Sequence, residues 1–532
     1  MTRDHDEKDP SRSEAKFVEQ AAQAVELLES IRADRKLLLL VDEEQRARLL
    51  RAAGEVARPD PWAKRELARA ARRKRKADRR AADEATLAQT GIRELRKQQV
   101  FVTPQPHRLA PVAAGASIDD ELREREQATP VPRSAGTVIE ERTCYICKQR
   151  FNELHFFYDS MCARCAELNW QKRTQTADLR GRTALITGSR VKIGYQAAIL
   201  LLRAGARVIV TTRFPRDAAL RYSREPDFEA FRDRLQVHGL DLRHTPSVEA
   251  FTKHLLDSEE RLDFILNNAC QTVRRPAGFY GHLMAEEQKA THELSSDVRG
   301  VLSSYESMRA LAASHASTGS GKLSTAARAV GMRDPAALSQ LVLLEEDLER
   351  STHIFPEGAL DADLQQVDLR SRNSWRLPLA EVPAVELLEV QLVNAVAPFI
   401  LNARLKPLML RVPTRDKHIV NVSAMEGQFY RSFKTDKHPH TNMAKAALNM
   451  LTRTSASDYV KDGIHMNSVD TGWVTDEDPV EIATRKTAEH GFHPPLDIVD
   501  GAARIVDPIF SGLNTGRHVW GQFLKDYVPT DW

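Results

Sequence analysis

Four of the five cysteines fall in one stretch, "CYICKQRFNELHFFYDSMCARC", as two Cys-x-x-Cys pairs: Cys144 with Cys147, and Cys162 with Cys165. Thiolates at this spacing can close a tetrahedral shell around one zinc ion. Four thiolates leave no open coordination position, so the expected role is structural, and so small a module depends on its metal to fold. His155 lies between the pairs and can replace a cysteine, but the simpler ligand set omits it. A second chemical feature is "KRELARAARRKRKADRR" at 64–80, where Arg65, Arg69, Arg72, Lys76 and Arg79 form a positive stripe on a helix. Such a stripe can neutralise nucleic-acid phosphates or meet an acidic protein. No aromatic residue interleaves it, so base stacking has no support, and a solvated helix is the plainer reading.

The elements that must position these groups divide the chain. Residues 1–100 read as a basic helical region, with Phe17, Ala21, Ala24, Leu28 and Ile31 on one face and a break at "ARPDPW". Prolines and mixed charge mark 101–140 as a linker, and 141–170 holds the cysteine module, whose "FNELHFFY" suits the short strands of a zinc ribbon or treble clef. From 179 to 532, strands such as "TALIT", "RVIVTT", "LDFILNNA", "HIVNVSA" and "HMNSVDT" alternate with helical segments. That order implies an α/β fold with a doubly wound parallel Rossmann sheet.

This last region resembles the short-chain dehydrogenase/reductase family. The turn "TGSRVKIG" runs from Thr187 and Gly188 through Ser189 and Arg190 to Ile193 and Gly194, with Lys192 where the family has another glycine. A turn of this kind brings backbone N–H groups and a helix dipole to a dinucleotide pyrophosphate. After the second strand, Arg213 stands where an acidic residue would bind the ribose hydroxyls, which favours NADP over NAD. The resemblance further implies an adenine contact at Asp241 and Leu242, and a nucleotide-site strand ending in Asn268 and Ala269, with Cys270 replacing a glycine. It makes Asn394 the support of an active-site water and lysine.

The catalytic motif departs from the family pattern. Lys445 is retained, but Thr441 occupies the position of the tyrosine acid/base, and Ala424, next to Ser423, that of the serine. A threonine hydroxyl is shorter and far less acidic than a phenol. Tyr430, His438 and His440 lie close by as substitute donors, histidine being the side chain best suited to proton transfer near neutral pH. Thr471 and Gly472 replace a proline-glycine pair, and Thr475 is placed to approach a nicotinamide carboxamide. A long segment at about 275–384 is an insertion, expected to act as a lid or substrate wall and to contain a helix at "LSQLVLLEEDL". Arg274 and Arg275 beside it are candidates for holding an anionic substrate, or for surface salt bridges.

The composition fits this reading. With 532 residues and 42% hydrophobic content the chain is long enough for about two to four packed domains. No unbroken apolar run reaches the ~18 residues of a membrane span, and five cysteines point to a reducing cytoplasm. The expected function is an NADP-dependent oxidoreductase with altered catalytic residues, acting on a small-molecule substrate. The resemblance also implies assembly of copies through the Rossmann helices. The alternative is a non-catalytic NADP-binding sensor or scaffold whose zinc module and basic helices engage a protein or nucleic acid.

Overall fold

The structure is a computed structural model and describes residues 10–104, 134–317, 329–430 and 434–532. It divides into two units, Met1–Ala82 and Asp83–Trp532. The first holds the helices Pro10–Ala33 and Glu43–Ala57 and most of Pro61–Leu87. Asp42 caps the second of these by accepting the N–H of Gln45. None of the residues described from Ala15 to Ala82 is buried. The boundary falls at 82, so residues 83–100, read from sequence as part of the helical region, belong to the second unit.

In the second unit an eight-stranded sheet runs in the order β10-β9-β8-β7-β6-β3-β4-β5. Its strands are β3 (Thr183–Thr187), β4 (Arg207–Thr212), β5 (Leu235–Gly239), β6 (Phe264–Asn267), β7 (Lys417–Ser423), β8 (Ile464–Asp470), β9 (Phe523–Lys525) and β10 (Val528–Thr530). Every residue of β3, β7 and β8 is buried, as expected of parallel strands covered on both faces. One face packs the helices Lys192–Arg203 and Ile498–Thr515, which touch each other. The other face packs Thr245–Ser258, Ala397–Met409 and Pro439–Tyr459. The sheet is parallel except at one edge: β10 returns antiparallel to β9 through Asp526 and Tyr527, both with positive φ, the backbone of a tight hairpin turn. Strand order reverses between β3 and β6, the crevice where open α/β sheets bind ligands.

The span Ala384–Met409 is the one segment among the described residues long and apolar enough to cross a membrane, and half of its most apolar window is buried inside the protein. The insertion extends the core: Val298, Val301, Leu302 and Tyr305 of Ser296–Ser317 are buried beside β5. The helix expected at "LSQLVLLEEDL" does not form. Only Pro335–Leu338 and a 3-10 turn at Glu345–Leu348 are helical. Asp347 accepts the N–H groups of Leu343 and Leu344, each at 2.9 Å, and holds that backbone extended.

The expected linker also contains structure. Residues 105–133 lie outside the described part, but β1 (Ser134–Thr143) begins inside it and pairs antiparallel with β2 (Arg150–His155). Residues 91–92 clasp the same module through backbone bonds from Gly91 to Phe156 and from Ile92 to Phe157, both 2.9 Å.

Candidate functional site

The turn after β3 is built by close approach. Gly188 has φ of 69°, and a Cβ there would stand 2.8 Å from the Cα of Ala269. A Cβ on Gly194 would overlap the Gly188 carbonyl and the Asn268 amide. The Asn268 Nδ2 donates to the carbonyls of Thr187 and Gly188 at 3.1 Å, and Thr187 Oγ1 accepts the N–H of Ala269 at 3.0 Å. "TGSRVKIG" and "NNAC" are thereby locked together. Lys192 takes φ of 57°, the left-handed backbone that explains the family's glycine at this place and costs a side-chain-bearing residue about 1 kcal/mol. Ser189 is fully buried and donates to Ile186, so it and Thr187 are scaffold rather than lining.

Above this turn opens a cavity of about 530 Å³, lined by Gly188, Arg190, Lys192, Ile193 and Gly194, by Arg213, Asp241 and Leu242, and by Asn268, Ala269 and Thr475. The insertion supplies another wall, including Tyr280, Asp361 and Gln365. Most charges here are already satisfied. Arg190 pairs with Asp217 at 2.8 Å, and Arg370 with Asp368 at 2.8 Å. Arg243 bridges Asp241 and Glu389. Against the upward push of burial, Arg243 holds the Asp241 carboxyl below its usual range. Asp241, expected to contact the adenine, lines the cavity beside Leu242 while paired with Arg243. Arg274 is likewise taken by Asp347 and Glu389, and Arg275 by Asp368, so neither is free for an anionic substrate. The Thr475 hydroxyl donates to Glu477 at 2.7 Å.

Arg213 differs. Its guanidinium donates to the Tyr280 hydroxyl at 2.7 Å and stacks on the Tyr280 ring at 4.7 Å. Neither Arg213 nor Lys192 forms an ion pair among the described residues, although Lys192 acts electrostatically on the half-buried Asp363 and Arg213 on Asp241. A cavity with two such cations, one at the phosphate turn and one past the second strand of the βαβ unit, fits a dinucleotide bearing a 2′-phosphate.

Around the end of β7 the structure gathers the expected catalytic residues except Tyr430, and none of them lines that cavity. Asn394 lies in a π-helical turn, Leu392–Val396, and clasps the backbone of Gln271: Oδ1 accepts its N–H at 2.8 Å and Nδ2 donates to its carbonyl at 3.2 Å. Lys445 is buried, and its Nζ donates to the Val422 carbonyl at 2.8 Å. Ser423 Oγ, Thr441 Oγ1, His438 Nδ1 and both ring nitrogens of His440 are buried with no hydrogen-bond partner. Orphaned polar atoms are rare in protein interiors, so a cluster of them marks a place for water or substrate. His440 Nε2 lies 3.3 Å from the carboxylate of Glu386, which is itself buried. His438, with φ of 42°, stacks flat on Trp375 at 3.8 Å, and burial and then the neighbouring His440 push its pKa down to about 4. Tyr430 does not join them; it is 78% exposed.

Sequence reasoning missed Glu386, Trp375 and Tyr280. Glu386 stands eight positions before Asn394, but the intervening π turn shifts helical register. Tyr280 lies five residues after Arg275, yet only the folded insertion brings it to Arg213.

The cysteines converge as their spacing implies. Their four Sγ atoms lie within 4.8 Å of one another, and Cys147 and Cys162 are 3.7 Å apart. Zinc–sulfur bonds of ~2.3 Å in a tetrahedron separate the sulfurs by about 3.8 Å, so the cluster fits zinc. Cys144 and Cys147 sit in the turn between β1 and β2, and Cys162 caps the helix Ala163–Arg173. His155 stands outside the four-sulfur cluster, and its Nδ1 accepts the N–H of Phe157 at 3.1 Å. The module joins the start of the helix Ile498–Thr515 through Tyr158, which donates to Asp500 at 2.5 Å, and through Arg173, paired with Asp497 and Asp500.

Comparison with known proteins decides the family. Residues 182–307 match the short chain dehydrogenase family, and residues 370–493 match the family described as enoyl-(acyl carrier protein) reductase. An uncharacterized protein of Acanthamoeba polyphaga mimivirus is 31% identical over 403 residues, covering 72% of this chain and 74% of its own. The chain belongs to the short-chain dehydrogenase/reductase family. The bovine dehydrogenase/reductase SDR family member 13 is 39% identical over 112 residues, 19% of this chain and 27% of that protein. Human retinol dehydrogenase 11 is 32% identical over 114 residues, covering 21% and 36% respectively. In both cases the chain spans well under half of the relative's length. Among solved structures, the Pseudomonas aeruginosa RhlG/NADP active-site complex is 18% identical and covers 65% of this chain and 95% of its own, with a TM-score of 0.40. As a member of this family the chain is an oxidoreductase in type. Beyond the two matched stretches the chain carries most of the insertion that walls the cavity, the cysteine module and the helical unit.

Proposed function

We propose that this short-chain dehydrogenase/reductase uses NADP and moves the proton through a group other than the family tyrosine. The observation that carries the cofactor assignment is Arg213, unpaired with any carboxylate among the described residues and held against Tyr280 at the cavity wall. NADP supplies hydride transfer at its nicotinamide, while the protein supplies binding, orientation and electrostatics. Gly188, Gly194 and Lys192 would hold the pyrophosphate, Arg213 the 2′-phosphate, and Leu242 the adenine side. Asn394 fixes the strand end at Gln271, and Lys445 braces β7. Of the candidate donors, His440 has the best support, because its ring is buried, neither nitrogen makes a hydrogen bond, and the Glu386 carboxylate stands 3.3 Å from Nε2. Tyr430 is too exposed to serve. The four cysteines are assigned one structural zinc.

The test is a screen for NADPH oxidation by the purified full-length protein against panels of aldehydes, ketones and activated alkenes. Substrate-dependent loss of NADPH supports the proposal. One observation favours the sensor reading instead: Lys445 is engaged with a main-chain carbonyl while both the serine and the tyrosine are replaced. Tight NADPH binding with no turnover on any panel would establish that reading.

A further inference from the structure

The helix Pro61–Leu87 carries a charge pattern that the oxidoreductase reading does not use. Between Lys64 and Arg80 ten residues are Lys or Arg, and only Glu66 and Asp78 are acidic. All of these side chains are exposed, and none of the ten cations forms an ion pair among the described residues. At about 100° per residue, Arg65, Arg69, Arg72, Lys76 and Arg79 point along one line. Arg73 and Arg80 stand to one side of that line, and Lys64 and Arg75 to the other. The cations thus cover about 180° of the circumference along about 24 Å of axis. Lys74 alone sits at the back.

This breadth selects the partner. A flat surface, whether an acidic protein or a membrane, is met by a stripe about 100° wide. A membrane-bound helix also needs an apolar face, and the back of this helix is mostly alanine with one exposed leucine, Leu67. A groove walled by phosphates meets the front and both flanks of a helix at once. The major groove of B-form DNA, about 12 Å wide, admits a helix, whereas that of A-form RNA is too narrow. We infer that the 64–80 helix binds duplex DNA in the major groove, its flanking cations on the phosphate rails. The contact is driven by phosphate neutralisation and has weak sequence selectivity.

The experiment is fluorescence anisotropy of a labelled 24-base-pair DNA duplex with the full-length protein. A matched RNA duplex, poly-glutamate and phosphatidylserine vesicles serve as competitors. Four flanking contacts give a log–log salt slope of about −4, so affinity falls about 10²-fold between 50 and 200 mM salt. Replacing the flank set (Lys64, Arg73, Arg75 and Arg80) by Gln flattens the slope. Replacing the front set (Arg65, Arg69, Arg72, Lys76 and Arg79) by Gln also weakens binding. Circular dichroism and NADPH binding report folding of both variants, and the wild-type salt slope stands without them. The inference is overturned by no DNA binding at 50 mM salt, by loss with only one of the two sets, or by tighter binding to RNA, poly-glutamate or vesicles. None of these outcomes bears on the dinucleotide cavity, so the oxidoreductase proposal is tested separately.

Discussion

The phenolic oxygen of Tyr145 accepts a 3.0 Å hydrogen bond from the backbone N–H of Trp473. Tyr145 lies inside the first Cys-x-x-Cys pair, and Trp473 stands two residues before Thr475 on the cavity wall. The cysteine module therefore supports the loop that lines the cavity. Metal analysis of protein purified without chelator should find about one zinc per chain. Changing Cys144→Ser together with Cys162→Ser should remove the zinc and weaken NADPH binding in the same variant. Metal-free wild-type protein would refute the zinc site, and unchanged NADPH affinity in the variant would refute the coupling.

Lys192 holds a left-handed backbone where glycine would be unstrained. Lys192→Gly should raise the melting temperature, by relief of about 1 kcal/mol, while lowering affinity for NADPH and NADH alike. The pyrophosphate is common to both cofactors. A loss confined to NADPH would move Lys192 away from the pyrophosphate.

His438 gives the fold a pH dependence. Folded, it takes up a proton only near pH 4 because it is buried and faces His440; unfolded, it does so near about 6.5. The unfolded chain binds more protons between these values, so stability is lost as pH falls through that window. The difference amounts to about 2 kcal/mol at pH 4.5. Urea midpoints at pH 7 and pH 4.5 should differ by less in His438→Asn, since asparagine tolerates the left-handed backbone and does not titrate. An unchanged difference would remove His438 from the account.

The catalytic assignment predicts unequal effects once a substrate is in hand. His440→Gln should cost about 10²-fold or more in turnover, the usual scale for general acid/base catalysis. Thr441→Ala and Tyr430→Phe should reduce it only modestly, and Lys445→Ala should weaken cofactor binding. If Thr441→Ala abolishes turnover with folding and binding intact, the donor has not moved.

What was legible in the sequence was whatever local pattern decides. β3 read as a strand because burial on both faces makes it a short apolar run, whereas β7 and β8, with Asn421, Asn467 and Ser468 among their apolar residues, were legible from the alternation of strands with helices. Gly188 and Gly194 were legible because no Cβ fits there, and the four cysteines because a tetrahedral thiolate site needs paired thiols at that spacing. The insertion was not: "LSQLVLLEEDL" has helical composition, but Asp347 ties its backbone open and pairs with Arg274. The partners of Asp241, Arg274 and Arg275 lie 2 to 115 positions away, and no periodicity encodes the distant ones. β10 escaped notice because three residues carry too little pattern to mark a strand.

The central claim is that the cavity holds NADP through Arg213. Calorimetric titration of the full-length protein with NADPH and with NADH, in wild type and in Arg213→Asp, tests it most directly. The account predicts tighter binding of NADPH by the wild type, and a reversed preference in the variant, where a carboxylate repels the 2′-phosphate. Equal affinity of the wild type for the two cofactors, or no binding of either, would contradict it.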